Sequence, residues 1–140
     1  KGCGSKSGVL PFYLDPITGQ NNSLLADYEE IESVSKSHFV KPIRIKKSIK
    51  IITLDKFIKD KNIKINHIKI DAEGYEFEIL IGLNEYLGKI ASFIIEITRN
   101  ETKVYELMKS RGYVAYDKKL NEIKNNQILR GNVFFILKNL

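Results

Sequence analysis

Along the chain, apolar residues switch between alternate spacing and helical spacing, and the switches divide it into strands and helices. Residues 9–14 read as a strand, with Pro11 marking an edge position or a strand start. Residues 15–23 are rich in turn formers and read as a loop, as does the polar stretch 33–38. Residues 43–52 are rich in β-branched side chains and predict a strand with one solvated face. Thr53 is placed to cap a helix in which Leu54, Phe57 and Ile58 share a face. Residues 65–70 predict another strand. Residues 74–87 predict a helix whose buried stripe is Phe77, Leu80, Ile81 and Asn84, with Gly88 as its terminator. The almost continuously apolar 91–97 reads as a strand buried on both faces. Asn100 is placed to cap a helix with Val104, Leu107 and Met108 inward and Gly112 at its end. Residues 113–116 and 132–137 are two further strands, joined by the polar stretch 117–131.

Alternating strands and helices predict an α/β fold with a mostly parallel sheet. The last two strands are close enough in sequence to pair antiparallel, a common edge on such sheets. Residues 1–140 read as a single domain, long enough to enclose a core.

Composition narrows the class. Hydrophobic residues at 43% and charged residues at 29% fit a globular protein. No apolar run approaches the roughly 18–20 residues of a membrane span, and the start of the chain lacks the apolar core of a signal peptide. A single cysteine, Cys3, has no internal disulfide partner, which fits the cytoplasm. With His38 and His67 it cannot make a common structural zinc site, so no metal is expected. The net charge is +6 and uneven. Residues 36–69 carry eleven Lys or Arg against Asp55 and Asp60, a net +9, which leaves −3 elsewhere. Such a stretch can attract nucleic acid, anionic lipid or a phosphorylated substrate, or simply form a solvated face.

The residues that could carry chemistry gather where strand 65–70 ends: Lys69, Asp71, Glu73, Gly74 and Glu76. In open α/β sheets ligands bind beyond the carboxyl ends of strands. Lys69 and Asp71 point to the opposite face from Ile68 and Ile70. Asp71 reads either as a reactive carboxylate or as a helix cap. Glu76 falls in the first helical turn, where a carboxylate favours the positive end of the helix dipole. Glu96 is a charge inside an apolar strand, so it should sit at the strand's open end or pair with a cation, with Lys69 the nearest choice. The run Gln20-Asn21-Asn22-Ser23 could hydrogen-bond a polar ligand or form a plain turn. His67 begins its strand, at the end away from this crevice, and is set aside as a base. Neither G-x-G-x-x-G after a strand, nor G-x-x-x-x-G-K-[ST], nor H-E-x-x-H occurs.

Thr53-Leu54-Asp55-Lys56-Phe57, the run from Ile68 to Glu76 (IKIDAEGYE), and Ile79-Leu80-Ile81-Gly82 together resemble the FkbM family of S-adenosylmethionine-dependent methyltransferases. Ile94-Ile95-Glu96, Leu107 with Gly112-Tyr113, residues 8–13, and Asn22-Ser23-Leu24 extend the resemblance over nearly the whole chain. It implies a class I, Rossmann-like methyltransferase sheet with its antiparallel strand near the C-terminus. It implies methyl transfer from S-adenosylmethionine to a hydroxyl oxygen of a small molecule or sugar. Asp71 would then end the fourth strand, beside cofactor and acceptor alike. Asn22 and Ser23 would lie toward the cofactor, and Lys69, Glu73 and Glu96 would line the acceptor side. Asp71 or Glu73 would take the hydroxyl proton. The first three strands of such a sheet and its glycine-rich cofactor loop should precede Val9. The chain is therefore expected to be the C-terminal two-thirds of the domain, incomplete for activity alone, with an uncovered edge on the fourth strand. Two other readings remain: a non-catalytic module of the same fold, and a basic nucleic-acid-binding α/β domain.

Overall fold

The computed structural model describes residues 1–16, 19, 22–27, 45–124, 127 and 130–138. The expected loop at 33–38, the residues Gln20 and Asn21, and the first two residues of the expected strand 43–52 lie outside the described residues. Among the described residues, two sheets and three helices form a mixed α/β structure. The smaller sheet holds β1 (Gly2–Cys3), β2 (Gly8–Leu14) and β3 (Ile45–Ile52) in the order β1-β3-β2. β1 runs parallel to β3, and β2 antiparallel to it with Phe12 opposite Lys47. The larger sheet holds β4 (His67–Ile70), β5 (Ser92–Ile97), β6 (Tyr113–Tyr116) and β7 (Gly131–Leu137) in the order β4-β5-β7-β6. The helices are α1 (Leu54–Lys61), α2 (Glu76–Ile81) and α3 (Glu101–Ser110), with a 3-10 turn at Asn84–Tyr86.

This arrangement is compatible with a methyltransferase-like fold and corrects the expected sheet. Among the described strands, parallel pairing is confined to β1–β3 and β4–β5. The strand read at 43–52 joins the smaller sheet instead of the larger one, because its backbone groups close against β2 in a seven-residue antiparallel register. The antiparallel strand expected near the C-terminus is present. It is β7, inserted between β5 and β6 and antiparallel to both. β4 is an edge strand among the described residues.

The core lies on one face of the larger sheet. Ile70, Phe93, Ile95, Ile97, Val133 and Phe135 meet Val104 and Met108 of α3, Leu80 of α2 and Ile58 of α1. β5 is therefore not equally buried on both faces. Phe93, Ile95 and Ile97 are at most 1% exposed, while Ile94 and Glu96 on the opposite face are half-buried. Strand pleating converts an apolar run into one buried and one half-open face when helices pack against only one side.

The helix expected over 74–87 is shorter and turned. α2 ends at Ile81, and its buried residues are Glu76, Ile79 and Leu80, followed by Leu83 and Leu87. Ile81 is 42% exposed and Asn84 is also exposed. The cause is a close crossing at Gly82. A side chain there would run into the Gly4 carbonyl just beyond β1, and the Gly82 carbonyl accepts the Asp55 N–H at the start of α1 at 3.0 Å. Backbone contacts on both sides stop the helix before its predicted stripe is complete. Thr53 and Asn100 occupy the N-cap positions of α1 and α3, but neither makes a side-chain capping bond.

The crossing gives a discriminating test. Gly82→Ala should lower the unfolding free energy by about 1–3 kcal/mol through overpacking against β1. Gly8→Ala, where an added Cβ meets nothing within 4 Å, should change it by less than about 0.5 kcal/mol. Denaturant unfolding of the two variants measures the difference.

Candidate active site

Beyond Ile70 the chain leaves β4 through a turn that its own residues force into shape. Two successive residues have positive φ, 50° at Glu73 and 88° at Gly74. Glycine takes that conformation without strain, whereas for Glu73 it costs about 1–2 kcal/mol. Three hydrogen bonds hold it. The Glu76 carboxylate reaches back so that Oε1 accepts the N–H groups of Ala72 and Gly74, both at 3.0 Å. Ser23 Oγ, distant in sequence, donates to the Glu73 carbonyl at 2.7 Å. Buried bonds of this kind contribute on the order of 1 kcal/mol each, and more to a charged acceptor, which offsets the strain.

Glu76 is thus a turn staple rather than a surface charge near a helix dipole. It is 1% exposed, and burial pushes its pKa up, with the backbone donors acting against the shift. Its Oε2 is buried without a hydrogen-bond partner among the described residues. The N-cap position of α2 belongs to Tyr75, so Asp71 does not cap that helix. Its side chain is left for other contacts.

Those contacts are set by the parallel register of β4 and β5. Ile70 lies beside Ile95, so the next residues, Asp71 and Glu96, come side by side at the strand exits. Lys69 Nζ pairs with Asp71 Oδ2 at 2.7 Å. The ion pair expected between Lys69 and Glu96 is therefore replaced by one between Lys69 and Asp71. The reason is geometric, since residues two apart on a strand share a face. Glu96 instead comes beside Asp71 at the strand exits. Its pKa is raised, first by burial, then by the charges of Asp71 and Glu73, with Lys69 opposing. The Lys69 ammonium is held above its usual value by the hydrogen bond and charge of Asp71. Neighbouring carboxylates disfavour ionisation of Glu96, which adds to the effect of its burial.

Lys69, Asp71, Glu73 and Glu96 thus form one cluster. Asn22 and Ser23 direct their side chains into the protein. Asn22 Oδ1 accepts the Asp15 N–H at 2.9 Å and its amide nitrogen donates to the Gly19 carbonyl at 2.6 Å. Ser23 is 1% exposed and accepts the Leu25 N–H at 3.1 Å besides bonding Glu73. His67 sits at the other end of β4 against Ser92 Oγ at 2.8 Å. Cys3 is half-buried beside the core, and burial raises its pKa. Among the described residues no three His, Cys, Asp or Glu side chains converge to hold a metal ion.

The sequence reading passed over Thr98. It lies just beyond β5, two residues after Glu96, and its hydroxyl is buried without a hydrogen-bond partner among the described residues. Its parity with Glu96 was the available signal. A cavity of about 560 Å³ lies away from the cluster, between α3, β6, residues 122–124 and Gln127. Tyr105, Tyr113, Ile123 and Phe135 line it, and none of the cluster residues does.

Removing the staple should be costly. Glu76→Ala strands two amide donors in a buried turn, for about 2–6 kcal/mol at about 1–3 kcal/mol for each unsatisfied group. Glu76→Gln keeps an acceptor and should cost less. The pKa of Glu76 is raised in the folded state, so the folded protein binds a proton there that the unfolded chain has released. Its contribution to stability therefore rises as pH falls through the raised pKa toward the ordinary carboxylate value. The melting temperature of the wild type relative to Glu76→Gln should climb as pH is lowered from 8 to 5, as measured by thermal denaturation at each pH.

The chain matches the profile of the methyltransferase FkbM domain over residues 2–115, from β1 to β6, which takes in the stapled turn and Glu96. No curated protein and no solved structure matches it. With the match covering most of its length, the chain belongs to the FkbM methyltransferase family.

Proposed function

We propose that this protein catalyses methyl transfer from S-adenosylmethionine to a hydroxyl oxygen on a small molecule or sugar. The observation that carries the reading is the Asp71–Glu96 carboxyl pair, with Lys69 on Asp71, at the exits of two adjacent parallel strands. The cluster's chemistry fits the donor's positively charged end, its sulfonium and amino group. Among the described residues no glycine-rich loop follows a strand to hold a nucleoside, so the fit concerns that end alone.

The cofactor supplies an electrophilic methyl group; the residues here handle the acceptor and its proton. The acceptor hydroxyl hydrogen-bonds to the Asp71 carboxylate. That oxygen would accept the methyl group that bound S-adenosylmethionine supplies, with Asp71 orienting it. The hydroxyl proton passes to Asp71. Beside it, burial and the neighbouring carboxylates hold the Glu96 carboxyl above the usual carboxylate range, toward the pH at which a general base is most effective. Lys69 opposes that rise and fixes the orientation of Asp71. Glu73 stands in the same field and is the second candidate for the base. The buried Thr98 hydroxyl, without a hydrogen-bond partner among the described residues and two residues beyond Glu96, supports this as the acceptor side.

In the full-length protein, Asp71→Asn should reduce turnover of S-adenosylmethionine about 10²–10⁴-fold, the usual size of a general-base contribution, with the melting temperature little changed. Unchanged turnover would remove Asp71 from this role. Because Glu96 titrates above the ordinary carboxylate range, the rate should increase with pH through a correspondingly raised midpoint. Glu96→Gln removes that titrating group, so the raised midpoint should disappear from the rate profile. Initial rates across pH 4–8 measure it.

A further inference from the structure

The cavity beside α3 stands on the outer edge of the larger sheet, and local patterns build its walls. Thr102, Tyr105, Glu106 and Lys109 recur at i, i+3, i+4 and i+7 along α3, so they share one stripe. It lies next to the stripe of Val104 and Met108 that enters the core. Beneath it, Tyr113 and Ala115 of β6 alternate onto the core face, with Ala115 beside Phe135 in register. The single methyl of Ala115 leaves space under the helix. The outer wall is chain that turns back along β6. There Ile123 donates its N–H to the Ala115 carbonyl at 2.8 Å, and Glu122 bridges to Tyr116. At the far end the Lys138 N–H donates to the Gly112 carbonyl at 3.0 Å.

The rings that line it are fixed. Tyr105 meets Phe135 edge to face at 5.5 Å, and Tyr113 meets Phe93 in the same way at 5.3 Å. The Tyr113 hydroxyl donates to the Ile90 carbonyl at 2.7 Å and accepts the Gly88 N–H at 3.1 Å. The cavity's volume of about 560 Å³ is far larger than the gaps of a packed interior and lies within the roughly 300–1,000 Å³ of small-molecule sites. Its floor is buried, with Tyr113, Ala115 and Phe135 at most 9% exposed. Its rim is exposed and charged, with Lys109, Lys124 and Lys138 from three separate segments against Glu106 and Glu122. Among the described residues no acid pairs with Lys124 or Lys138. We propose that this cavity binds a small molecule with an apolar ring body and one anionic group, the body against Tyr105 and Phe135 and the charge at Lys124 and Lys138. None of its lining residues belongs to the acidic cluster, so occupation requires neither S-adenosylmethionine nor the acceptor. The cluster's carboxylates would repel such an anion, whereas the rim here carries one surplus positive charge.

The probe is 8-anilinonaphthalene-1-sulfonate, an aromatic anion, with N-phenyl-1-naphthylamine as its uncharged counterpart. In the full-length protein labelled at isoleucine methyls, NMR titration with the anion should shift Ile123 on the cavity wall. Ile94, beside Lys69 of the acidic cluster, should stay in place. The uncharged counterpart should bind more weakly. Lys138→Glu, at an exposed position, should weaken the anion about three- to tenfold, the scale of reversing one surface charge contact. The same change should leave the uncharged counterpart within about twofold. Ala115→Leu fills the floor and should weaken both probes on the order of tenfold. Should Ala115→Leu not fold, the Ile123 shift and Lys138→Glu decide the question by themselves. An Ile123 methyl that stays in place at millimolar probe, or that moves only together with Ile94, overturns the site. Unchanged affinity in folded Ala115→Leu does the same. Equal affinity for the two probes, or an unchanged anion affinity in Lys138→Glu, overturns the anionic class of ligand. None of these readouts uses turnover, so the methyl-transfer reading stands or falls separately.

Discussion

The site depends on a buried carboxylate that points backward. Glu76 begins α2, yet its Oε1 gathers the amides of Ala72 and Gly74 and so folds the turn that follows β4. A buried charge without a cation is expensive, and the raised pKa of Glu76 reflects that cost. What makes it tolerable is the pair of converging N–H groups, which would themselves be orphaned in the same buried place. Carboxylate and turn therefore need one another. Their joint result is that Asp71 leaves the strand with its side chain uncommitted to capping.

Parallel pairing then turns a local shape into a constellation. Adjacent parallel strands end together, and the register Ile70 beside Ile95 carries Asp71 to Glu96 without any special contact of its own. Lys69 enters because it shares the face of Asp71. Three ionisable groups from two strands thus arise from one register and one pleat. A one-residue slip would send them to the core face, where Phe93, Ile95 and Ile97 leave no room for charge. The apolar face of β5 therefore enforces the polar one.

The outcome for individual residues shows how far local pattern reaches. The boundaries of β2, β5 and β6 lie close to those predicted from alternation. The acidic cluster was legible because a charge at the end of an apolar strand has few benign explanations. Helix α2 was misjudged because its stripe was counted through Gly82, where a crossing backbone ends the helix. Lys69 was matched with the wrong carboxylate because sequence shows which charges are near but not which is nearer. Asn22 and Ser23 were legible as polar, yet their partners, Asp15, Gly19 and Glu73, are chosen by how a distant segment folds back.

By itself the sequence determined the order of strands and helices, the family, and the place where acidic chemistry concentrates. Each of these is written in short-range pattern: alternation, helical spacing, and a glycine-bearing acidic turn. Only the tertiary structure decided that the described strands form two sheets, that β7 enters between β5 and β6, that Glu96 comes beside Asp71, and that Ser23 grips Glu73. These depend on strand partners and on contacts up to fifty residues apart. They are fixed by which faces can be buried together and which backbone groups must find partners, and no local run of residues carries that information.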